Sequence, residues 1–165
     1  MNPRRGSRAF RRANEPTAFR RWWGVRGLID TGVLLALLDR DDRWHEPCVA
    51  AFHKARLPLG TTAAVLTELF HLLGDSERDQ KAAWALLRSG AICVIGVSDE
   101  DLPAIEALML RYRDRPMDFA DGTLVHLAER TGTTNILTID HGDFETYRIR
   151  GRKRFTIAPA RALQR

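Results

Sequence analysis

The run Gly27-Leu28-Ile29-Asp30-Thr31-Gly32-Val33-Leu34-Leu35-Ala36-Leu37-Leu38 decides the fold. Val25 to Ile29 reads as a short buried strand that Asp30 closes. Thr31 to Leu38 follows at once as an apolar helix. Working outward, the same alternation repeats. Glu46 to Arg56 reads as a helix with Pro47 in its first turn, where proline is tolerated. Leu57 to Thr61 is short and extended, and Thr62 to Leu73 is a helix ended by Gly74. Glu77 to Ser89 is a helix ended by Gly90, Ala91 to Val97 a β-branched strand, and Asp99 to Arg113 a helix capped by Ser98. Asp118 to Thr131 is a helix ended by Gly132, Asn135 to Ile139 a strand, and Arg154 to Ile157 a last strand. Strands that alternate with helices predict an α/β sandwich around a short, mostly parallel central sheet.

At 165 residues the chain is long enough for one domain with its own core. The net charge of +5 is unevenly spread. Residues 1–24 carry about +6 and residues 146–165 carry +7, which leaves −8 for residues 25–145. The body is acidic and the ends are basic, as suits clustered carboxylates between segments able to meet a polyanion. The Arg-rich leader, residues 1–24, lacks periodicity; it reads either as a disordered segment or as a mis-assigned start with Val25 the true initiator. The domain is expected over residues 25–159, with 160–165 a tail. The apolar stretch Leu28 to Leu38 contains Asp30, has no small-residue cleavage site and falls short of the ~20 apolar residues that span a bilayer. A cytoplasmic protein without a membrane segment is expected. Cys48 and Cys93 then read as buried, unlinked thiols, neither at metal-finger spacing.

Six acids stand where strands end or helices begin: Asp30, Glu68, Asp118, Asp121, Asp140 and Asp143. In a parallel sheet, ligands gather outside the carboxyl ends of the strands. Carboxylates gathered there repel one another unless a hard divalent cation sits between them. Each acid also has a plainer reading. Asp30 is a good cap for the helix that follows it. Glu68 lies opposite the apolar stripe Leu66, Leu69, Phe70 and Leu73, where a surface glutamate is the default. Asp118 with Asp121, and Asp140 with Asp143, imitate capping boxes and suit a helix N-terminal dipole. Asp121 borders the buried stripe of its helix, so it is better placed than Asp118 to reach a cleft. His141 reads as a base or, more ordinarily, as a solvated loop histidine.

Four motifs carry a resemblance. Leu28-Ile29-Asp30-Thr31-Gly32, Thr67-Glu68-Leu69, Met117-Asp118-Phe119-Ala120-Asp121-Gly122-Thr123-Leu124-Val125 and Leu137-Thr138-Ile139-Asp140-His141-Gly142-Asp143-Phe144 resemble, in order and spacing, the PIN-domain ribonucleases. Among these they most resemble VapC-type toxins of toxin–antitoxin pairs. The resemblance covers residue 25 to about 159. It implies a Rossmann-like three-layer α/β/α fold and an endoribonuclease that uses Mg²⁺ or Mn²⁺. It carries over Asp30, Glu68, Asp121 and Asp140 as catalytic acids, with Asp30 and Asp121 as direct metal ligands. Asp118 and Asp143 support them, and Thr31 and Thr138 match small hydroxyl positions that orient ligands or water. Gly122 departs from the pattern, which usually has Ala there.

On this resemblance the cation lowers the pKa of a bound water for in-line attack on RNA, leaving a 5′-phosphate and a 3′-hydroxyl. Arg111, Arg113, Arg115, Arg148, Arg150, Arg152, Lys153 and Arg154 are expected either to contact the RNA backbone or to form a solvated rim. A small antitoxin that inserts a basic side chain among the acids is implied, as is a homodimer, with the helices Thr31 to Leu38 and Glu46 to Arg56 as its suggested interface. Other classes fit less well. A haloacid-dehalogenase-like phosphatase needs a second Asp where Gly32 stands, and a receiver domain needs a Lys after a late strand. A non-catalytic RNA- or partner-binding module on the same fold is the main alternative.

Overall fold

The structure, a computed structural model, describes residues 24–161. The expectations for the leader as a disordered or mis-assigned segment fall almost wholly outside the described residues. The elements are β1 (Leu28–Ile29), α1 (Thr31–Leu38), α2 (His45–Lys54), β2 (Leu59–Thr62), α3 (Ala63–Leu73), α4 (Glu77–Arg88), β3 (Ile92–Ile95), α5 (Leu102–Arg111), α6 (Phe119–Thr131), β4 (Asn135–Leu137), α7 (His141–Phe144) and β5 (Thr156–Ala158). A 3₁₀ turn, Asp99–Asp101, leads into α5.

The five strands form one sheet in the order β3-β2-β1-β4-β5, and every pairing is parallel. Leu28 pairs with both Gly60 and Ile136, so β1 is the central strand. The chain builds outward from β1 to β3 on one side and then crosses to β4 on the other. That reversal makes the carboxyl ends of β1 and β4 the switch point, where a ligand crevice is expected. All five strands are short, and their apolar side chains feed one core that includes Leu28, Ile29, Leu59, Ile92 and Ile136. The α/β sandwich read from the sequence is the observed architecture.

The differences lie at element ends. β1 begins at Leu28 rather than Val25, although the Gly27 carbonyl still accepts from Gly60 N at 2.8 Å. β4 stops at Leu137 rather than Ile139: Thr138 N still donates to the Ala158 carbonyl of β5 at 2.9 Å, but its Oγ1 accepts from Asp140 N at 3.0 Å, which starts the turn into α7. The helix expected over Asp99 to Arg113 divides into the 3₁₀ turn and α5, with Pro103 in the first turn of α5. The last strand is shifted to Thr156–Ala158. Gly74 and Gly132 end α3 and α6 at φ of 56° and 73°, as their backbone freedom allows.

Buried polar contacts fix the layers around the switch point. Thr61 Oγ1 donates to the Ile29 carbonyl at 3.1 Å, tying β2 to β1. Thr123 Oγ1 donates to the Ala120 carbonyl at 2.7 Å, so the 2.7 Å contact between Thr62 and Thr123 has Thr62 as its donor. This pair anchors the first turns of α6 to the end of β2. Gly32 lets α1 approach the β4–α7 turn: a Cβ there would lie 2.7 Å from Ile139 Cγ1. Cys48 and Cys93 are both buried and unlinked, and burial, with Asp42 adding to it, pushes the Cys48 thiol up to about 11. Among the described residues no helix is long and apolar enough to cross a membrane.

Candidate active site

The acids of the four motifs converge on the carboxyl edge of the sheet. Asp30 sits directly after β1, and its backbone N donates to the Leu137 carbonyl of β4 at 3.0 Å. Its side chain is 8 % exposed and makes two contacts. Oδ1 accepts from Thr31 N at 2.7 Å, which caps α1, and Oδ2 accepts from Thr138 Oγ1 at 2.8 Å. Asp30 is therefore a helix cap and, at the same time, a buried carboxylate at the switch point. Burial pushes its carboxyl up to about 6 against the pull of the Thr138 and Thr31 bonds, and the charges of Glu68 and Asp118 add to the rise.

Glu68 enters from α3. The expectation of a surface glutamate does not hold: it is half-buried, and its Oε2 accepts from Thr31 Oγ1 at 2.6 Å. The buried residues of α3 are Val65 and Leu69, so of the expected stripe Leu66, Leu69, Phe70 and Leu73 only Leu69 is fully buried. One helical turn separates Val65 from Leu69, and Glu68 flanks that face. The hydroxyls of Thr31 and Thr138 each hold one carboxylate, Glu68 and Asp30 respectively.

Asp118 caps α6 by accepting from Asp121 N at 2.7 Å. Asp121, in the first turn, points inward and is half-buried. Its Oδ2 accepts from the hydroxyl of Tyr147 at 3.0 Å. Burial pushes its carboxyl up to about 8; the charges of Asp118, Asp30 and Asp140 add to this, and Tyr147 opposes it. Asp140 caps α7 by accepting from Asp143 N at 3.0 Å. Asp143 is raised by burial and then by Asp140, and the Arg115 guanidinium 3.4 Å away offsets part of that rise.

The six acids thus share one electrostatic field. Among the described residues no trio of acidic, histidine or cysteine side chains is gathered closely enough to enclose an ion unaided. Nor does any Lys or Arg among them form an ion pair with Asp30, Glu68, Asp118, Asp121 or Asp140. A field of hard oxygen donors, three of them with raised pKa and only Asp143 paired with a cationic side chain among the described residues, fits a hard divalent ion. Mg²⁺ needs only one or two protein carboxylates and keeps several of its waters. Two clefts of about 750 Å³ lie elsewhere. One, between Gly27, Lys54 and Asn135, is at the opposite ends of the strands, and one is beside Leu102, Leu110 and Phe119; neither borders the acids.

Four neighbours differ from expectation. His141 is buried, not solvated, and its ring nitrogens lie 3.1 Å and 2.8 Å from the carbonyls of Ile139 and Pro159. It packs the α7 turn onto β5 and is not presented to a substrate. Arg115, expected to meet RNA, donates to the Gly142 carbonyl at 3.0 Å and to Thr146 Oγ1 at 2.6 Å, binding the loop before α6 to α7. Arg148 and Arg150 are likewise engaged, on the carbonyls of Glu145, Thr146 and Tyr147 and on Glu129. Tyr147 was not legible from the sequence. Its three-residue spacing from Phe144 marks it as packed, but nothing there points its hydroxyl at Asp121.

A family model, described as the PIN domain, matches residues 27–149. The chain belongs to the PIN-domain family. A curated relative, ribonuclease VapC26 of Mycobacterium tuberculosis, is 29 % identical over 135 residues, which span 80 % of this chain and 99 % of that protein. Among solved structures, M. tuberculosis VapC20, a sarcin–ricin loop cleaving toxin, superposes with a TM-score of 0.61 at 22 % identity, covering 67 % of this chain and 86 % of that one. A toxin–antitoxin complex from Klebsiella pneumoniae gives 0.58 at 18 % identity, covering 73 % and 91 %. At these identities the two structures speak for the fold. The PIN match spans all four acidic motifs, from Asp30 to Asp143.

Proposed function

We propose that this PIN-domain protein is a metal-dependent endoribonuclease and the toxin of a toxin–antitoxin pair. One observation carries the reading: Asp30 and Asp121, on different elements, lie near enough at the carboxyl edge of one parallel sheet for the Asp30 charge to raise Asp121. Their carboxyls are pushed up to about 6 and about 8, and no cationic side chain among the described residues pairs with them. The similarity to a curated ribonuclease over almost its whole length supports the same chemistry.

Asp30 and Asp121 would hold Mg²⁺, or Mn²⁺ in its place. When bound, the ion supplies a water of lowered pKa and an electrophilic partner for the scissile phosphate. The chain's own side chains do the rest. Thr138 and Thr31 fix the Asp30 carboxylate by both oxygens, so it needs no reorganisation on loading. Glu68, fixed by Thr31, and Asp140, fixed as the α7 cap, accept hydrogen bonds from the attacking water and aim it in line. The expected products carry a 5′-phosphate and a 3′-hydroxyl. Exposed Arg111, Arg113, Arg152, Lys153 and Arg154 would meet backbone phosphates, whereas Arg115, Arg148 and Arg150 are already engaged within the protein.

An antitoxin partner is proposed on the likeness to VapC and to the toxin–antitoxin complex. A basic side chain from it would neutralise the acids as a cation does. A homodimer is also proposed. The suggested interface on α1 and α2 finds no support in exposure, since among the described residues the large exposed apolar side chains are Leu57, Leu72, Trp84, Val94, Leu102, Leu110 and Phe119, none on those helices.

The test compares RNA cleavage by purified protein with Mg²⁺, with EDTA and with Asp30→Ala. Cleavage only by the unaltered protein with Mg²⁺ is expected. Equal cleavage in all three arms would reject the site. RNA binding with no metal-dependent cleavage would favour a binding module.

A further inference from the structure

We propose that Tyr147 is a positioning residue for Asp121: its buried hydroxyl holds one carboxylate oxygen and so turns the other toward the divalent cation. The inference rests on the nuclease reading above and extends it to a residue outside the four motifs.

The geometry is specific. Tyr147 is fully buried, and its hydroxyl donates to Asp121 Oδ2 at 3.0 Å across 26 residues of sequence. Among the described residues Asp121 Oδ1 takes no hydrogen bond, so one oxygen is committed and one is left for a ligand. The ring cannot swing away. Tyr112 and Phe144 meet it edge-on at centroid distances of 5.0 Å and 5.3 Å, and Phe155 backs Phe144 at 5.4 Å. The backbone is held as well, with Tyr147 N donating to the Asp143 carbonyl at 2.9 Å and Arg148 N donating to the Tyr112 hydroxyl at 2.9 Å.

The chemistry suits the task. Burial, then the Asp121 charge, pushes the phenol well above its ordinary value, so it stays a donor throughout the working range of the enzyme. Asp121 faces the repulsion of Asp118, Asp30 and Asp140, and Tyr147 answers it without bringing a competing positive charge. A lysine or arginine in this place would fill the role of the cation and weaken its binding. A phenylalanine would pack among the same rings but leave Asp121 free to rotate. Groups that orient a metal-binding carboxylate in this way are worth about 10- to 100-fold in metal affinity or activity when removed.

The test uses the full chain and Tyr147→Phe, which keeps the ring and removes only the hydroxyl. Mg²⁺ affinity is measured by isothermal titration calorimetry, and kcat and KM on RNA separately. Expected are a cooperative fold, a Kd for Mg²⁺ weakened about 10- to 100-fold, a lower kcat that excess Mg²⁺ partly restores, and an unchanged KM for RNA. Tyr112→Phe, which keeps the ring against Tyr147 and removes only the hydroxyl that accepts from Arg148 N, should weaken Mg²⁺ binding far less than Tyr147→Phe does. An unchanged Kd and kcat in Tyr147→Phe, or an equal loss in Tyr112→Phe, overturns the inference.

A second readout does not need Tyr147→Phe to fold. The chain has two tyrosines. Fluorotyrosine incorporated into Tyr112→Phe therefore labels position 147 alone. Its ¹⁹F resonance should move on Mg²⁺ titration and stay still when Asp121→Asn is added; a resonance indifferent to Mg²⁺ in the chain with Asp121 intact counts against the role. Should the unaltered protein neither bind Mg²⁺ nor cleave RNA, the nuclease reading itself fails; should it do both while Tyr147→Phe matches it, only this inference fails.

Discussion

Thr138 shows how much of the site hangs on one hydroxyl. It donates to Asp30 Oδ2 and accepts from Asp140 N, so it joins a buried carboxylate to the cap of the next helix. Thr138→Val keeps the shape and leaves both partners unpaired. It should cost about 1–3 kcal/mol in urea unfolding above pH 6, where Asp30 is ionised, and less below it. Asp121→Asn should reduce cleavage by about 10²–10⁴-fold, as removal of a positioned catalytic group does, with melting retained. Legibility at this scale is uneven. Asp30 and Asp140 were readable because a strand-end acid in a parallel sheet has few places to face. Glu68 was readable only through the resemblance, since a stripe of Leu66, Leu69, Phe70 and Leu73 put it on the far face, whereas packing buries Val65 and Leu69. Tyr147 was out of reach because its partner lies on another element, and pattern along a chain carries no record of such a contact.

The elements hold the acids by caps. Asp30, Asp118 and Asp140 each use one carboxylate oxygen to start a helix, at 2.7, 2.7 and 3.0 Å. Capping and ligand roles compete in a sequence reading, but a cap does not exclude a ligand, because each carboxylate oxygen has two lone pairs. Helix spans were legible nearly to the residue where a cap or glycine marked them, as in α1 and α6. Strand ends were not: β1 and β5 begin later than expected, and β4 stops before Thr138, whose hydroxyl starts the turn into α7. Two glycines test the packing between elements. Gly32→Ala would force a Cβ to 2.7 Å from Ile139 Cγ1, and should cost about 1–3 kcal/mol in urea unfolding, partly recovered by trimming Ile139 to Ala. Gly122→Ala gains about 1 kcal/mol of helix propensity but brings a Cβ to 3.2 Å from Ile105 Cγ2, so its net effect on stability should be small and cleavage should be unchanged.

At the scale of the whole molecule, the acidic body sets the pH response. The folded carboxyls of Asp30 and Asp121 lie at about 6 and about 8, above their ordinary 3.8. A raised acid favours the folded state most fully below its ordinary value, and that contribution is lost as pH rises through the folded value. The metal-free protein should therefore melt at lower temperature as pH rises from about 4 to beyond 8, and Mg²⁺ should reverse the loss. Asp121→Asn should remove the upper part of the fall; scanning calorimetry of both proteins across that range checks the sign. The basic residues that remain exposed predict a different dependence. Reversing Arg152 and Lys153 to Glu should raise KM for RNA and flatten its salt dependence by about 0.7 per lost phosphate contact, with kcat little changed.

The central claim is that carboxylates at one sheet edge cut RNA. Mapping of 5′-phosphate RNA ends after expression, with the unaltered protein beside Asp121→Asn, tests it most directly. New ends at defined positions in the first and none in the second are predicted. The same ends in both, or none in either from protein shown to be folded and free of any antitoxin, would contradict it.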